Sequence, residues 1–312
     1  MPLHLVVGAG PIGSSVARLL ADSGEQVRVV TRRGSGPEHP AIERVAADAS
    51  DAARLRELAR GTVAIYNCVN PPYHRWTTDW APIAAALLGA AEASGAVLAI
   101  TGNLYGYGPV DAPMTEDLPL AATTRKGRVR ARMWLDALAA HRAGRVRVTE
   151  ARGSDYVGAD AQSMFTYAGP ALLAGKTARL PVNLDLPHSV TYTGDMARTL
   201  VTIARDERAW GRPWHVPTAP ARTIRDMLTD FSRLAGAPEP RLAVLPRSLM
   251  RAVGVFSRQL RELDEMRYQF ERPFVLDSSR ATRELGLTAT PLPESLAATA
   301  RAMRHPTASQ PA

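Results

Sequence analysis

Apolar positions in the first half of the chain alternate between short unbroken blocks and helical spacing. LHLVV at 3–7 reads as a strand, and beyond a glycine turn Ile12, Val16, Leu19 and Leu20 share one helical face. QVRVVT at 26–31, VAIYNC at 63–68, AVLAIT at 96–101 and RVRVTEA at 145–151 continue the strands, and a further β-like segment precedes Asp48. Helical patterns lie between them near 51–60, 78–94 and 124–143. Apolar strands separated by helices suit a parallel sheet covered on both faces, because such strands are buried on both sides. The pattern predicts an α/β, doubly wound domain.

After residue 151 the rhythm loosens. SVTYTGDMARTLVTIARD leads from a strand or loop into a helix, PWHVP is a short strand, and 223–235 and 247–269 carry helical runs. FVLDSSRATRELGL holds a strand and then a short helix. Residues 1–154 are expected to form mainly the doubly wound domain. Residues 155–304 are expected to form mainly a smaller C-terminal lobe, with segments near 186–218 returning to the main domain. HPTASQPA at 305–312 is expected to be a flexible tail.

Composition narrows the function. With 312 residues, 46% hydrophobic and 22% charged, the chain reads as a folded globular protein rather than a disordered basic tail. Cys68 is its one cysteine, so no intrachain disulfide can form and no metal site is expected. The start, MPLHLVVGAG, lacks the pattern of a secretory signal. The longest apolar stretch, APIAAALLGAAEASGAVLAI, is interrupted by Glu92, Ser94 and Gly95. A cytoplasmic chain with no membrane partner is expected. The net charge of +8 suits an anionic ligand, and no nucleic-acid module accompanies it, so no nucleic-acid partner is expected.

Gly8, Gly10 and Gly13 form GxGxxG between the first strand and the first helix, with Pro11 and Ile12 between the last two glycines. Glycines permit a tight turn and close backbone approach, and the helix start favours a pyrophosphate. The second strand ends in TRRG, with no carboxylate for a ribose 2′-hydroxyl. Arg32 and Arg33 offer charge and donors to a 2′-phosphate, which points to NADP as cofactor. Asp48 suits either an adenine amino group or a helix cap.

The glycine turn, Asp48, AITGNLYGYG, ARGSDYVG, HSVTYTGDMARTLV and VLDSSRATRELGLTATPLPESL together resemble the extended or atypical short-chain dehydrogenase/reductases, in particular the NAD-dependent epimerase/dehydratase family. The resemblance implies a Rossmann domain that holds NAD(P) and a smaller C-terminal substrate lobe. The family's glycine positions correspond to Val7, Gly10 and Gly13 here, with Gly8 supplying an alternative register. ITGNLYG places Thr101 where the family carries a catalytic hydroxyl, although the same group also suits a satisfied strand end. The family's Tyr-x-x-x-Lys pair falls on Lys126 and Arg130, on one helical face but without the tyrosine. Arg130 retains the positive charge and is no proton carrier near neutral pH. Tyr105, Tyr107, Tyr156 and Tyr192 are candidate substitutes for the missing acid, with Tyr105 and Tyr156 ahead of Tyr192, and each also suits packing. His188 is a candidate acid or phosphate ligand, although a single histidine in a Pro-rich turn also suits a structural or solvent-facing place, and Asp195 is a candidate cap linking the lobes.

The resulting expectation is an NADP-dependent reductase or epimerase/dehydratase acting on a carbonyl or hydroxyl of a small metabolite. The alternative is a non-catalytic NADP-binding sensor. Met133, Trp134 and Leu138 offer either a homodimer surface or a face packed on the sheet.

Overall fold

The computed structural model describes residues 1–159, 161–245 and 265–304. The strands are β1 (Leu3–Val7), β2 (Gln26–Thr31), β3 (Ile42–Ala46), β4 (Thr62–Asn67), β5 (Val97–Asn103), β6 (Arg147–Gly153), β7 (Asp155–Val157), β8 (Ala178–Leu180), β9 (Pro187–His188), β10 (Val190–Tyr192), β11 (Pro213–His215), β12 (Arg222–Thr223) and β13 (Leu242–Val244). The helices are α1 (Pro11–Asp22), α2 (Ala52–Leu58), α3 (Trp76–Ser94), α4 (Arg125–Arg142), α5 (Met164–Leu173), α6 (Thr193–Arg205), α7 (Ile224–Leu234), α8 (Ser279–Leu285) and α9 (Leu292–Arg304). The helical run expected at 247–269 falls largely outside the described residues. Its described end holds a single 3-10 turn, Arg267–Phe270. The tail expected at 305–312 also lies outside them.

Seven parallel strands form the central sheet in the order β11-β6-β5-β4-β1-β2-β3. The chain winds outward in both directions from β1 and β4, so their carboxyl ends flank the crevice where doubly wound folds hold ligands. Alternation within each strand sorts the core. Leu5, Val7, Ile65, Leu98 and Ile100 pack with α2, α3 and α4 through Leu55, Trp80, Leu87, Met133 and Trp134. Val6, Ala64, Tyr66, Ala99 and Ala151 face α1 and α6 through Val16, Leu20, Met196, Leu200 and Ile203. Met133 and Trp134 are thus buried on the sheet, with Leu138 packed beside them, and do not form a free apolar face.

A third core unites α5, α7 and α9 through Phe165, Leu172, Met227, Phe231 and Leu296. Leu104, Tyr107, Met114, Phe274 and Leu276 pack between this lobe and the end of β5. The chain returns from the lobe twice, laying α6 on α1 and adding β11 to the edge of β6. Asp195 does not cap α6, whose N-cap is Tyr192. It lies in the first turn, buried, and accepts from the main-chain N–H and the hydroxyl of Thr290, tying α6 to the approach to α9.

Candidate functional site

The glycine turn joins β1 to α1 at the carboxyl edge of the sheet. Gly8 has φ +99°, and a Cβ there would lie 2.5 Å from the Cys68 carbonyl oxygen. A Cβ on Gly13 would lie 1.9 Å from the Gly8 carbonyl oxygen. These two glycines are demanded by packing. Gly10 is different: a Cβ there meets no atom within 4 Å, so its backbone faces open space. It is also the N-cap of α1, with no side chain bonded to the helix start. Pro11 occupies the first turn and lacks an N–H, while Ile12 packs against the second core. An uncapped helix start beside a bare backbone is a cradle for an anionic group.

Beyond β2, the Thr31 hydroxyl binds Ser35 and folds the turn that carries Arg32 and Arg33. Both arginines are exposed, and Arg32 lies near enough to Asp48 to favour its ionised form. Asp48 does not cap α2; Asp51 does, accepting from the Arg54 N–H at 3.0 Å. Asp48 instead accepts from the N–H and hydroxyl of Ser50, bonds that hold its carboxyl below the usual range.

Thr124 caps α4 through the Gly127 N–H at 3.1 Å, which sets Lys126 in the first turn and Arg130 one turn later. Both are buried, at 2% and 6% exposure, and their heads go to different partners. Lys126 Nζ lies 3.0 Å from Glu265 Oε2, and Glu265 Oε1 accepts from the Lys126 main-chain N–H at 2.9 Å. The ammonium also lies 4.5 Å from the Tyr73 ring centre. Arg130 donates through Nη2 to the Thr101 carbonyl. Its guanidinium stacks 4.8 Å from the Trp80 ring and 5.9 Å from that of Trp76. Burial pulls its pKa down, partly offset by the charge of Glu150, and Arg130 Nε has no partner among the described residues.

The tyrosines separate by what their hydroxyls hold. Tyr156 donates to the Gly102 carbonyl at 3.1 Å, so its proton is already committed. Tyr107 lies in a second buried network, and Tyr192 is half-buried beside Gly194. Tyr105 follows β5 in a 3-10 turn and packs on Trp76, ring centres 5.9 Å apart. Tyr73, after β4, meets the same Trp76 ring edge-on at 5.0 Å. The Tyr73 and Tyr105 hydroxyls lie near each other, with the Gln269 side chain beside Tyr105. Burial pushes Tyr105 up to about 12 and Tyr73 higher. The Thr101 hydroxyl points to Cys68 Sγ at 3.6 Å, and burial pushes that thiol up to about 12.

His188 is buried rather than exposed. It bonds Asp155 at 2.9 Å and stacks on Phe270 and Phe274, which makes it a packing element.

Behind β5 runs the second network. Glu150 and Arg152, two apart on β6, share a face and pair at 2.7 Å with side chains about 4% exposed. Gly102 leaves the room they need, since a Cβ there would lie 2.8 Å from Glu150 Oε1. Arg152 donates to the Tyr107 oxygen at 2.7 Å, and Tyr107 meets His215 Nε2 at 2.8 Å. His215 Nδ1 lies 2.8 Å from the Asp277 carbonyl, which can only accept. Nδ1 therefore carries the ring proton, and Tyr107 donates to Nε2. Burial pushes His215 down to about 3, consistent with a neutral ring.

Tyr73, Trp76, Glu265 and Gln269 complete the constellation and carry no helical or strand periodicity that singles them out. Tyr73 sits in PPYHRW, a single 3-10 turn, and Glu265 is distant in sequence from Lys126. The Glu150–Arg152 pair does leave a signal, opposite charges two apart in a predicted strand. Among the described residues no group of His, Cys, Asp and Glu is arranged to hold a metal, and no helix is long and apolar enough to cross a membrane.

Comparisons agree with this architecture. The chain is similar along its whole length to the Bordetella bronchiseptica enzyme WbmH in complex with NAD+ (20% identity, 98% and 99% of the two chains, TM-score 0.76). It is also similar to DesIV, a dTDP-glucose 4,6-dehydratase from Streptomyces venezuelae with NAD and TYD bound (22% identity, 97% of each chain, TM-score 0.78). A third similar structure is the UDP-glucuronic acid 4-epimerase from Bacillus cereus in complex with NAD (16% identity, 97% and 98%, TM-score 0.79). No curated protein sequence matches. The model of the NAD-dependent epimerase/dehydratase family matches residues 4–216, which span the glycine turn, the rewritten α4 and the return to the sheet. The chain is a member of the NAD-dependent epimerase/dehydratase family.

Proposed function

We propose that this protein is an NADP-dependent oxidoreductase acting on a carbonyl or hydroxyl carbon of a sugar nucleotide or similarly oxygenated metabolite. The observation that carries it is Gly10, an open backbone position at the uncapped start of α1, in a turn whose other glycines are fixed by packing. A pyrophosphate fits that cradle. The exposed Arg32 and Arg33 suit a 2′-phosphate, and the orphan Nε of buried Arg130 suits a ribose or nicotinamide oxygen. When bound, the nicotinamide supplies the hydride donor or acceptor. The sugar-nucleotide class is supported by the ligands or substrates of structurally similar proteins, which include UDP-glucuronic acid.

Tryptophan-fluorescence titration with NADPH and NADH tests the cofactor, with R33D as the discriminating variant. NADPH is expected to bind more tightly, and R33D to weaken NADPH more than NADH. Equal affinities in the wild type would overturn the NADP assignment, and no binding of either would overturn the whole reading. Turnover is tested by NADPH oxidation at 340 nm against UDP- and dTDP-linked 4-keto sugars. A binding-only protein is the second reading, favoured by the Lys126–Glu265 pair standing where the family's tyrosine acid would be. Dinucleotide binding without turnover of any panel member would favour it.

A further inference from the structure

At the carboxyl edge of the sheet β5 outruns one of its neighbours. Its pairing with β4 ends at Asn67 and Ile100, while its pairing with β6 continues through Thr101, Gly102 and Asn103. Main-chain carbonyls sheltered from water need partners, and two side chains supply them here. Arg130 of α4 donates to the Thr101 carbonyl, and the Tyr156 hydroxyl donates to the Gly102 carbonyl at 3.1 Å. Tyr156 comes from outside the central sheet, on β7 opposite Thr191 of β10. To reach β5 it passes Gly153, the last residue of β6. A Cβ on Gly153 would lie 3.1 Å from both the ring and the hydroxyl of Tyr156, so glycine keeps that path open.

The side chain of Thr101 sits between these fixed points and the cofactor turn. Its hydroxyl donates to Cys68 Sγ at 3.6 Å. Cys68 in turn lies against the glycine turn, its Cβ 3.0 Å from where a Cβ of Gly13 would stand. A thiol sulfur is a weak acceptor, so the hydroxyl rests on a partner that it can exchange for an oxygen at little cost.

We propose that Tyr156 is a positioning residue: together with Arg130 it fixes the end of β5, so that the Thr101 hydroxyl can turn from the Cys68 sulfur to the substrate oxygen. The proposal rests on the oxidoreductase reading above. Two observations give Tyr156 this role rather than a direct one. Its proton is given to a main-chain carbonyl, which holds no proton to return. Its ring is packed on the core that includes Met196 and beside Gly153, so the hydroxyl cannot swing into the crevice without unpacking. Burial also raises the Tyr156 pKa, with the charge of Arg130 opposing it, which keeps the phenol a donor. Replacing Tyr156 by phenylalanine removes the one hydroxyl that holds Gly102 and leaves the ring in place. The peptide next to Thr101 then loses its anchor, and the hydroxyl loses its aim.

Two measurements on the full chain test the proposal. Cys68 is the one thiol of the chain, so the infrared S–H stretch reports on the Thr101 contact without labelling. T101V removes the hydroxyl from the sulfur and should move the band. Y156F should move it in the same direction, and the exposed control Y167F should leave it in place. A band unmoved in Y156F would overturn the proposal. The second measurement is NADPH oxidation with a UDP- or dTDP-linked 4-keto sugar. Y156F should lower kcat by about tenfold or more, with KM and dinucleotide Kd within about threefold, as a misaimed group does. The pH profile of kcat should keep its shape, because a positioning residue does not titrate in the reaction. A limb of that profile lost in Y156F would make Tyr156 the acid itself, and an unchanged kcat would leave it no role; either result overturns the assignment. A wild type that binds no dinucleotide, or reduces no such sugar, would instead defeat the underlying functional reading. The infrared comparison would then still decide whether Tyr156 fixes Thr101.

Discussion

Glu265 grips Lys126 at both ends, one carboxylate oxygen on the ammonium at 3.0 Å and the other on the main-chain N–H at 2.9 Å. Lys126 is thereby held as half of an ion pair at the start of α4. Because Lys126 is 2% exposed, removing the carboxylate takes a charge-assisted bond from a buried ammonium. E265Q should lose about 2 kcal/mol of stability, and the double variant K126M/E265Q should regain most of it. Urea unfolding of the four-member cycle checks this; additive losses would show the pair is not coupled.

Glycines at 10 and 13 should fail in opposite ways. G13A forces a Cβ onto the Gly8 carbonyl, and the variant should be destabilised or misfolded. G10A meets nothing within 4 Å, so its melting temperature should stay within a degree or two of wild type. Its dinucleotide affinity should nonetheless fall at least about tenfold, or 1.4 kcal/mol, because the methyl occupies the cradle. Thermal melts paired with titration separate the two effects.

Arg130 should not tolerate lysine. A lysine cannot donate to the Thr101 carbonyl, keep a delocalised cation beside Trp76 and Trp80, and still present a further N–H. Both R130K and R130M should weaken NADPH binding, by roughly tenfold or more. Circular dichroism and fluorescence titration on the same samples distinguish this from unfolding. Retained wild-type affinity in R130M would remove Arg130 from the cofactor site.

Acid should weaken the fold through His215. Burial lowers its pKa from 6.5 to about 3, so below pH 6.5 the unfolded chain binds a proton that the native ring refuses. Stability therefore rises with pH between about 3 and 6.5 and is flat above. The cost at pH 4.5 is about 2–3 kcal/mol. Denaturant melts at pH 7.5 and 4.5 should show this fall in the wild type, and H215N should lose that part of it. Glu265, held below its ordinary 4.5 by the Lys126 bonds against the opposing effect of burial, adds a loss only at lower pH.

The parallel sheet was legible because its strands are apolar on both faces, and the dinucleotide turn because glycine is the sole residue for Gly8 and Gly13. The α4 face was legible from the four-residue spacing of Lys126 and Arg130. Their partners were not. Lys126 meets Tyr73 and Arg130 meets Trp76 and Trp80, rings that reach α4 only when the sheet assembles. Glu265 reaches α4 from the C-terminal part of the chain, and no local pattern announces a contact across 139 residues. The cap expected at Asp195 and the cap alternative for Asp48 failed for a common reason: both carboxylates lie near a helix start but are bonded elsewhere, Asp48 to Ser50 and Asp195 to Thr290.

The late return of α6 and β11 to the sheet bears on how the protein can be made. Val16 and Leu20 of α1 need Leu200 and Ile203 of α6 to cover them, and β6 remains an open edge until Pro213–His215 arrives. A fragment ending near residue 154 would keep the glycine turn yet expose an apolar helix face and an unpaired strand, a combination that invites aggregation. On the ribosome, the dinucleotide half cannot close until more than two-thirds of the chain has emerged. The sheet that carries the glycine turn is therefore completed only after part of the C-terminal lobe has been made.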